Sequence, residues 1–326
     1  MINKKAIFSI KTNLDFEQQC LEVFQYQFKY NKVYRSFCDL LYVHPSSVKS
    51  IREIPFLPIQ FFKSKKVITG SEPEEIVFLS SGTTGTVRSK HYVTAIDWYK
   101  KSFRKTIALF YGDITAYTVL ALLPSYQERE GSSLIYMVDD LIKSSKNPKS
   151  GYFLNDLDAL AKELILLDKQ GKKVLLIGVS YALLDLIAKQ QFQLKNTVIL
   201  ETGGMKGKRR EMIKPELHEI LKKGFGVGQI HSEYGMTELL SQAYSQTNGL
   251  FQTPPWMKVL IRDTEDPLTL LENGKTGGIN VIDLANINSC SFIATQDLGK
   301  TYEDGSFEIL GRFDNSDIRG CNLLVD

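Results

Sequence analysis

The sequence predicts an α/β fold in which a mostly parallel sheet is covered by helices and a smaller β-rich subdomain lies at the C-terminal end. Between residues 76 and 223, short apolar runs alternate with segments of helical periodicity, as in βαβ units. After about Leu239 the helical periodicity stops, and β-type runs are separated by turns such as Glu272-Asn273-Gly274. We therefore expect an α/β core with an N-terminal helical segment over 1–238 and a β-rich subdomain over 239–326.

The elements follow in order along the chain. Residues 14–43 have helical periodicity, and His44-Pro45 ends the helix because the residue before proline resists the helical region. Two prolines in 54–59 predict an extended, packed connector. The later predicted strands are 76–79, 117–123, 174–177, 198–200, 259–261, 279–284, 291–293 and 307–309, and the helices are 95–111, 134–142, 157–167, 182–189 and 215–223, the last stopped by Gly224.

The composition narrows the class of protein. With 43% hydrophobic and 24% charged residues, the 326-residue chain is typical of soluble globular proteins, and a net charge of +3 does not indicate nucleic-acid binding. No run approaches the ~18 apolar residues of a membrane span, and Met1 to Lys11 lacks a signal-peptide core. These features predict a cytoplasmic protein.

The four cysteines do not indicate a metal site or a disulfide framework. They form no CxxC motif and no metal-type spacing with the four histidines. Reduced, partly buried thiols are the simplest interpretation for Cys20, Cys38 and Cys290. Cys321 is treated separately below because of its position near the end of the chain.

A loop rich in hydroxyls and glycines follows the strand 76–79. Its residues offer side-chain hydroxyls and unobstructed backbone N–H groups to phosphate oxygens, and Arg88 and Lys90 follow just beyond it. It is not a Walker loop, because no Gly-Lys-Ser/Thr closes it. A plain polar turn is the alternative interpretation. The loop consists of Ser80, Ser81, Gly82, Thr83, Thr84 and Gly85.

Glu201-Thr202-Gly203-Gly204 directly follows the strand 198–200, at the sheet edge where open α/β proteins bind ligands. A basic run including Lys206, Arg209 and Arg210 comes next, before a predicted helix start. Positive charge at a helix start interacts unfavourably with the helix dipole. A bound anion nearby would offset this, so the placement favours an anion site. A solvated basic run is the alternative.

Three further stretches carry polar groups suited to a nucleotide. Tyr234-Gly235-Met236-Thr237-Glu238 presents an aromatic ring, a hydroxyl and a carboxylate, which are the groups needed to stack a base, hold a phosphate and coordinate Mg²⁺. In the β-rich part, Asp297 has the chemistry to accept hydrogen bonds from a ribose diol, and Arg312 to bind a phosphate or carboxylate. Taken alone, each of the last two is an ordinary turn residue.

In order and spacing, these stretches together resemble the adenylate-forming superfamily of acyl-CoA synthetases and phenylacetate–CoA ligases. The resemblance runs from about Ile54 to the C-terminus. Within that superfamily the chain is most similar to the acyl-protein synthetases that activate fatty acids for bacterial luminescence. That closer similarity is carried by Pro55-Phe56-Leu57-Pro58 before Phe61-Phe62-Lys63, by Leu123-Pro124-Ser125-Tyr126 before Gly131-Ser132-Ser133, and by Ile318-Arg319-Gly320-Cys321.

The resemblance implies that a substrate carboxylate attacks the α-phosphorus of ATP and releases pyrophosphate. A carboxylate is already a nucleophile at neutral pH, so no general base is needed. The implied roles are the pyrophosphate side for Ser81 to Gly85, the α-phosphate for Thr237, Mg²⁺ for Glu238, adenine for Tyr234, Gly203 and Gly204, the ribose for Asp297, and the ribose or a hinge for Arg312. Ser80 and Gly235 are further expected nucleotide contacts, and the acid is assigned to Ser125, Tyr126, Gly178, Ser180 and His231.

The sequence departs from the family in two ways. Gln296 stands where a glycine usually precedes the ribose-binding aspartate. The chain also stops soon after Gly320, so the C-terminal lid domain with its catalytic lysine is expected to be absent. Lys90, Lys206 or Arg210, or a partner protein, would then supply the missing positive charge.

The second half-reaction needs a thiol acceptor. Cys321 follows Gly320 within six residues of the end, so we expect it, CoA or a carrier protein to receive the acyl group. A packed residue beside a short strand is the alternative for Cys321. A reductase or acyltransferase is the expected partner.

Two other functions remain open at this stage. Gly178-Val179-Ser180-Tyr181-Ala182 nearly matches a nucleophile elbow, which would indicate a serine acyl-hydrolase or acyltransferase with His218 or His231 as base. The simpler interpretation of Ser180 is a helix N-cap. The third possibility is a non-catalytic nucleotide-binding partner, which the truncation suggests.

Overall fold

A computed structural model describes residues 2–81, 87–125, 130–203 and 212–312. The chain forms two compact units. The first unit comprises Met1–Tyr99, Glu238–Ser241 and Gln252–Asp326, and the second comprises Lys100–Thr237 and Gln242–Phe251. The predicted division after residue 238 therefore lies one residue from the point where the chain leaves the second unit, and the N-terminal 99 residues cluster with the β-rich part.

The helices of the described residues are α1 Asn13–Tyr30, α2 Lys32–Leu40, α3 Phe61–Ser64, α4 Ile96–Tyr111, α5 Ser133–Ser145, α6 Leu157–Lys169, α7 Ser180–Lys189 and α8 Lys214–Phe225. The strands are β1 Leu57–Pro58, β2 Ile76–Leu79, β3 Lys90–Val93, β4 Thr118–Leu122, β5 Gly151–Tyr152, β6 Val174–Gly178, β7 Thr197–Thr202, β8 His231–Tyr234, β9 Ala243–Thr247, β10 Leu250–Gln252, β11 Met257–Arg262, β12 Thr276–Asp283, β13 Phe292–Thr301 and β14 Phe307–Arg312.

The second unit is built on the predicted parallel sheet. Its strands lie in the order β10-β9-β8-β7-β6-β4-β5, with β4 to β8 parallel and β9 antiparallel to β8. Every residue of β4 and β6 is buried, as expected for strands covered on both faces. Helices α5, α6 and α7 pack against β4, β6 and β7. The α/β prediction is confirmed.

The first unit contains the β-rich part. Strands β11 to β14 form an antiparallel sheet, and β1 joins it in parallel through Leu57 opposite Ile293. The proline-rich connector is thus extended and packed, as predicted. The strand 76–79 belongs to a separate antiparallel pair, β2–β3, and not to the parallel sheet. The turns ending in Gly274 and Gly305 place both glycines at positive φ, at +83° and +82°.

The predicted single helix over 14–43 is two helices, because Asn31 interrupts it. Asn31 has extended dihedral angles, and its side-chain oxygen accepts from the backbone N–H of Tyr34 at 3.0 Å to cap α2. Its amide nitrogen donates to the carbonyl of Ser289 at 2.7 Å. Both side-chain hydrogen bonds of Asn31 favour a non-helical backbone at this residue, so the helix breaks here.

Helix α8 also ends later than predicted. It runs through Gly224 and stops at Gly226, which is left-handed at φ +66°. A Cβ on Gly224 would lie 2.6 Å from Ile187 on α7, so this glycine permits close helix packing. Within the described ranges, no helix is long and apolar enough to cross a membrane.

Candidate active site

The carboxylate of Glu238 lies in the interior of the first unit. Its residue is 5% exposed, and its backbone carbonyl accepts from the side-chain amide of Asn286 at 2.7 Å. Burial raises the pKa of the Glu238 carboxyl, whereas a hydrogen bond to Ser89 and the charge of Arg312 oppose that rise. The residue is therefore a buried acid that a nearby cation would keep ionised.

The short segment Glu238–Ser241 has no regular secondary structure, and Asp283 at the end of β12 holds it. One Asp283 oxygen accepts from the backbone N–H groups of Leu240 at 2.7 Å and Ser241 at 3.0 Å. The other accepts from the Ser241 hydroxyl at 2.6 Å. Buried irregular backbone needs such partners, so Asp283 and Asn286 together fix the path of the chain after Glu238.

Asp297 and Arg312 face each other across β13 and β14. They are register partners, and the Arg312 Nε lies 3.0 Å from an Asp297 oxygen. Asp297 is buried, while the Arg312 side chain is 74% exposed. Both influence the ionisation of Glu238. The first unit thus brings together three of the predicted site residues.

The hydroxyl loop begins close to this group. The Ser80 hydroxyl accepts from the backbone N–H of Ser89 at 2.9 Å, and Ser89 in turn hydrogen-bonds Glu238. Arg88 donates to the Ser80 carbonyl at 2.6 Å. Ser89 therefore links the first residue of the predicted phosphate loop, Ser80, to the predicted metal ligand, Glu238.

In the second unit, Ser180 fixes the turn at Gly203. The Ser180 hydroxyl donates to the Gly203 carbonyl at 2.7 Å and lies 3.2 Å from a Glu201 carboxylate oxygen. Gly203 has φ +66°, which suits glycine. The N-cap of α7 is Val179, so Ser180 is its first helical residue and the N-cap interpretation was wrong.

Glu201 is the centre of a buried polar network. One of its oxygens accepts from Lys214 and from the Ser232 hydroxyl, each at 2.7 Å. His218 Nε2 lies 3.6 Å from the same oxygen and 3.2 Å from Ser232. Burial alone would raise the pKa of Glu201, but Lys214 and the hydrogen bonds from His218 and Ser232 lower it to about 2. Glu201 is therefore ionised at neutral pH.

This network argues against the hydrolase interpretation. A nucleophilic serine needs an accessible hydroxyl in contact with a base. Ser180 is 2% exposed and bonds a carbonyl and a carboxylate, while His218 contacts Ser232. His231 Nδ1 instead lies 3.3 Å from the Tyr111 hydroxyl, and burial lowers its pKa.

The other predicted residues of the second unit lie at the ends of its central strands. Gly178 ends β6, where a Cβ would lie 2.9 Å from Leu183. Tyr234 ends β8 and packs edge-to-face on Phe251 with ring centroids 6.1 Å apart. Ser125 and Thr237 are both half-buried.

In the first unit, Ser81 and Lys90 are exposed. The predicted residues Gly82, Thr83, Thr84, Gly85, Tyr126, Gly204, Lys206 and Cys321 lie outside the described residues.

Several residues of these networks were not predicted from the sequence, namely Ser89, Asp283, Asn286 and Lys214. A weak signal existed for two of them. In the run Asp283-Leu284-Ala285-Asn286, polar side chains come directly after Val281-Ile282, near a strand end, where ligand-facing or positioning groups are common.

The N-terminal part of the chain matches a described family. Residues 9–102 match the family model "Acyl-protein synthetase, LuxE". The chain is 25% identical over 333 residues to the long-chain-fatty-acid–luciferin-component ligase of Vibrio harveyi, a match that covers 93% of this chain and 85% of that protein.

Solved structures share the fold. MatB of Rhodopseudomonas palustris with bound ATP matches with a TM-score of 0.56 and 19% identity, over 74% of this chain and 49% of MatB. An open 2-hydroxyisobutyryl-CoA ligase in complex with 2-HIB-AMP and CoA matches with a TM-score of 0.69 and 13% identity, over 93% of this chain and 75% of that one. The chain spans about half the length of the MatB structure.

The matches to the family model, to the Vibrio harveyi ligase and to the solved structures agree with the resemblance seen in the motifs. The chain is therefore similar to the LuxE acyl-protein synthetases over residues 9–102 and shares its fold with MatB and 2-hydroxyisobutyryl-CoA ligase.

Proposed function

We propose that this protein activates a carboxylic acid with ATP and passes the acyl group to a thiol. The acid's carboxylate oxygen bonds to the α-phosphorus of ATP as the bond to pyrophosphate breaks. The acceptor thiolate then forms a thioester and AMP leaves. The observation that carries the proposal is the convergence of Glu238, Asp297 and Arg312 in the first unit, at the three motif positions that the family resemblance assigns to a nucleotide.

The residues around Glu238 fit a magnesium ion held with substrate phosphates. Mg²⁺ is usually bound by one or two carboxylates together with phosphate oxygens. Across the described residues there is no group of three His, Cys, Asp or Glu suited to an all-protein metal site. Glu238 would hold the ion, which supplies charge neutralisation at the phosphates.

The protein's own groups would act mainly by positioning and by charge. Asp297 would accept from the ribose hydroxyls, and its ion pair with Arg312 orients it. Ser180 would act indirectly, because its hydroxyl already holds the Gly203 carbonyl at the adenine turn. The remaining assignments are Ser80, Ser81, Gly82, Thr83, Thr84 and Gly85 for pyrophosphate, Thr237 for the α-phosphate, Lys90 and Lys206 for added positive charge, Tyr234, Gly235 and Gly204 for adenine, and Ser125, Tyr126, Gly178 and His231 for the acid.

The substrate we propose is a fatty or other acyl acid, and the acceptor is Cys321, CoA or a carrier protein. The relative from Vibrio harveyi is named for a long-chain fatty acid and a luciferin component, which supports an acyl acid and a protein partner such as a reductase or acyltransferase. A cytoplasmic location is part of the same proposal.

The test is acid-dependent exchange of labelled pyrophosphate into ATP, with ATP binding measured by calorimetry. We expect exchange that requires both an acid and Mg²⁺. ATP binding without exchange for any acid would indicate a non-catalytic nucleotide-binding partner. Failure to bind ATP, with ester hydrolysis instead, would restore the hydrolase interpretation.

Asn286 offers a prediction about how Glu238 is positioned. Replacing Asn286 by Ala removes the hydrogen bond to the Glu238 carbonyl, so the carboxylate loses its fixed place. We expect the exchange rate at saturating ATP to fall ~10-fold or more and the Mg²⁺ concentration for half-maximal rate to rise. Steady-state exchange over a Mg²⁺ series measures both quantities.

Asn280→Ala is the matched control. Asn280 is equally buried on β12, but its side chain accepts from Arg262 and, within the described part of the chain, makes no hydrogen bond to Glu238–Ser241. It should lower thermal stability without changing the Mg²⁺ requirement. Equal changes in Mg²⁺ requirement for both variants would mean that Asn286 serves only stability.

Cys321 carries the prediction about the acceptor. Wild-type protein given ATP and a mass-tagged acid should gain a hydroxylamine-labile acyl group, because a thioester cleaves with hydroxylamine. Cys321→Ser should stay unlabelled while retaining pyrophosphate exchange, and labelling should quicken toward pH ~8.5 as the thiolate forms. Equal labelling of the variant, or no labelling of wild type, would assign the acceptor role to CoA or a carrier protein.

A further inference from the structure

Three polar side chains share one face of the sheet in the second unit, at the ends of neighbouring strands. Thr202 and Glu233 are register partners in the parallel pair β7–β8, so their side chains project to the same face. Gln242 joins them, because its Cγ and the Glu233 carboxylate both border the position a Cβ would take on Gly235. Tyr234, the next residue along β8, projects to the opposite face.

These side chains have unused hydrogen-bonding capacity. Thr202 and Gln242 are 2% and 4% exposed, and the Thr202 hydroxyl and the Gln242 carbonyl oxygen have no hydrogen-bond partner. Among the described residues, no hydrogen bond or ion pair reaches the Glu233 carboxyl either. Glu233 itself is half-buried. Buried polar atoms are nearly always paired in native proteins, so two unpaired oxygens beside a carboxyl at the carboxyl edge of a parallel sheet indicate a missing ligand.

The three polar side chains lie beside a group of aromatic side chains. Glu233 stands opposite Tyr244 across β8–β9, and Tyr244 packs on Tyr111 with ring centroids 5.5 Å apart. Tyr111 also packs on His231 at 5.7 Å. Burial raises the pKa of Glu233 to about 7, and the charge of Glu201 acts in the same direction while Lys214 opposes it. Near neutral pH the carboxyl can thus both accept and donate.

We propose that Thr202, Glu233 and Gln242 form a specificity subsite for the acid, and that the acid carries a hydroxyl or amine away from its reacting carboxylate. A plain alkyl chain would leave the Thr202 and Gln242 oxygen atoms unpaired in the protein interior and would offer no partner to the half-buried Glu233 carboxyl. A hydroxyl or amine satisfies them, which is how a site built for a hydrogen bond rejects an analogue that lacks it. This subsite rests on the proposed acid activation.

The strand geometry assigns the hydroxyl or amine that binds this subsite to the acid and not to the adenine of ATP. Tyr234, which we assign to adenine, projects from β8 away from Glu233, toward Phe251. Glu233 instead shares its face with His231, which we assign to the acid. ATP and purine riboside triphosphate, which lacks the adenine amine, therefore serve as the second pair of probes.

The experiment is pyrophosphate exchange by the full chain with hexanoic acid and its 2-, 3- and 6-hydroxy and amino derivatives. At least one derivative should exceed hexanoic acid ~10-fold or more in kcat/KM. Glu233→Leu, Thr202→Val and Gln242→Leu should each bring that ratio toward one, and Glu233→Gln should retain part of it. Glu216→Leu, an exposed control on α8 with the same charge change, should keep the wild-type ratio.

The outcomes separate the two proposals. No exchange with any acid refutes the acid activation itself. Exchange that is equal for hexanoic acid and every derivative refutes the subsite while leaving the activation standing. A ratio that the three substitutions leave unchanged, or substitutions that alter only discrimination between ATP and purine riboside triphosphate, also overturns the assignment to the acid.

Discussion

Glu238→Gln is expected to lower acid-dependent pyrophosphate exchange ~100-fold or more while the fold stays intact. The amide keeps the size of the side chain and its buried position, but it removes the only charge that the residue would offer to Mg²⁺. Because burial already raises the pKa of this carboxyl, removing the charge relieves a folding cost, so thermal stability should not fall. Exchange rates and thermal unfolding of the purified variant test this.

Glu272→Gln is the control for Glu238→Gln. Its side chain is 83% exposed, forms a surface ion pair with Arg52 and lies in the same unit. It carries the same chemical change and should exchange at the wild-type rate. A folded Glu238→Gln protein with near-wild-type exchange at low Mg²⁺ would remove Glu238 from the metal site.

Lys214→Met should destabilise the second unit by about 3–5 kcal/mol, the usual effect of leaving one partner of a buried ion pair alone. The Lys214 Nζ lies 2.7 Å from Glu201, whose side chain is 3% exposed. Methionine keeps most of the apolar stem but removes the ammonium, which also lies 4.9 Å from the centroid of the Phe251 ring, so the loss reports both contacts of the charge. Urea unfolding at pH 7 measures the free energy of unfolding.

The double variant Glu201→Gln/Lys214→Met should recover part of that loss, because no buried charge is left unpaired. The pH dependence gives a second check. The folded pKa of Glu201 lies below its unfolded value, so this group's stabilisation is present above the unfolded pKa and is lost as pH falls toward about 2. Lys214→Met should weaken that acid dependence. Additive effects of the two substitutions would show that the pair is not coupled.

The periodic features of the fold could be read from the sequence. Buried strands such as β4 and β6 and the amphipathic helices between them are encoded locally, so their positions were predicted to within a few residues. Site motifs with several unusual residues in a row, such as Tyr234 to Glu238, were also recognisable. Their value came from order and spacing along the chain.

The residues that position the site could not be read in the same way. Asn286 and Asp283 act through backbone groups more than 40 positions away, and no local pattern distinguishes such a side chain from an ordinary polar residue. The break at Asn31 has the same origin, since its partner is the carbonyl of Ser289. Short strands such as β5 and β10 were missed because two or three residues carry no periodicity.

The discontinuous first unit imposes an order on how the chain folds during synthesis. Gln27 on α1 donates to carbonyls of Asn286, Ile287 and Ser289, about 260 residues downstream. At ribosomal rates of about 5–20 residues per second, those acceptors emerge roughly 10–50 s after α1. The second unit, almost continuous between residues 100 and 251, has its strands available first. Phe24 can pack at once on Phe28 and Tyr34, but it must wait for Phe292 until the end of synthesis, so the first unit is completed last.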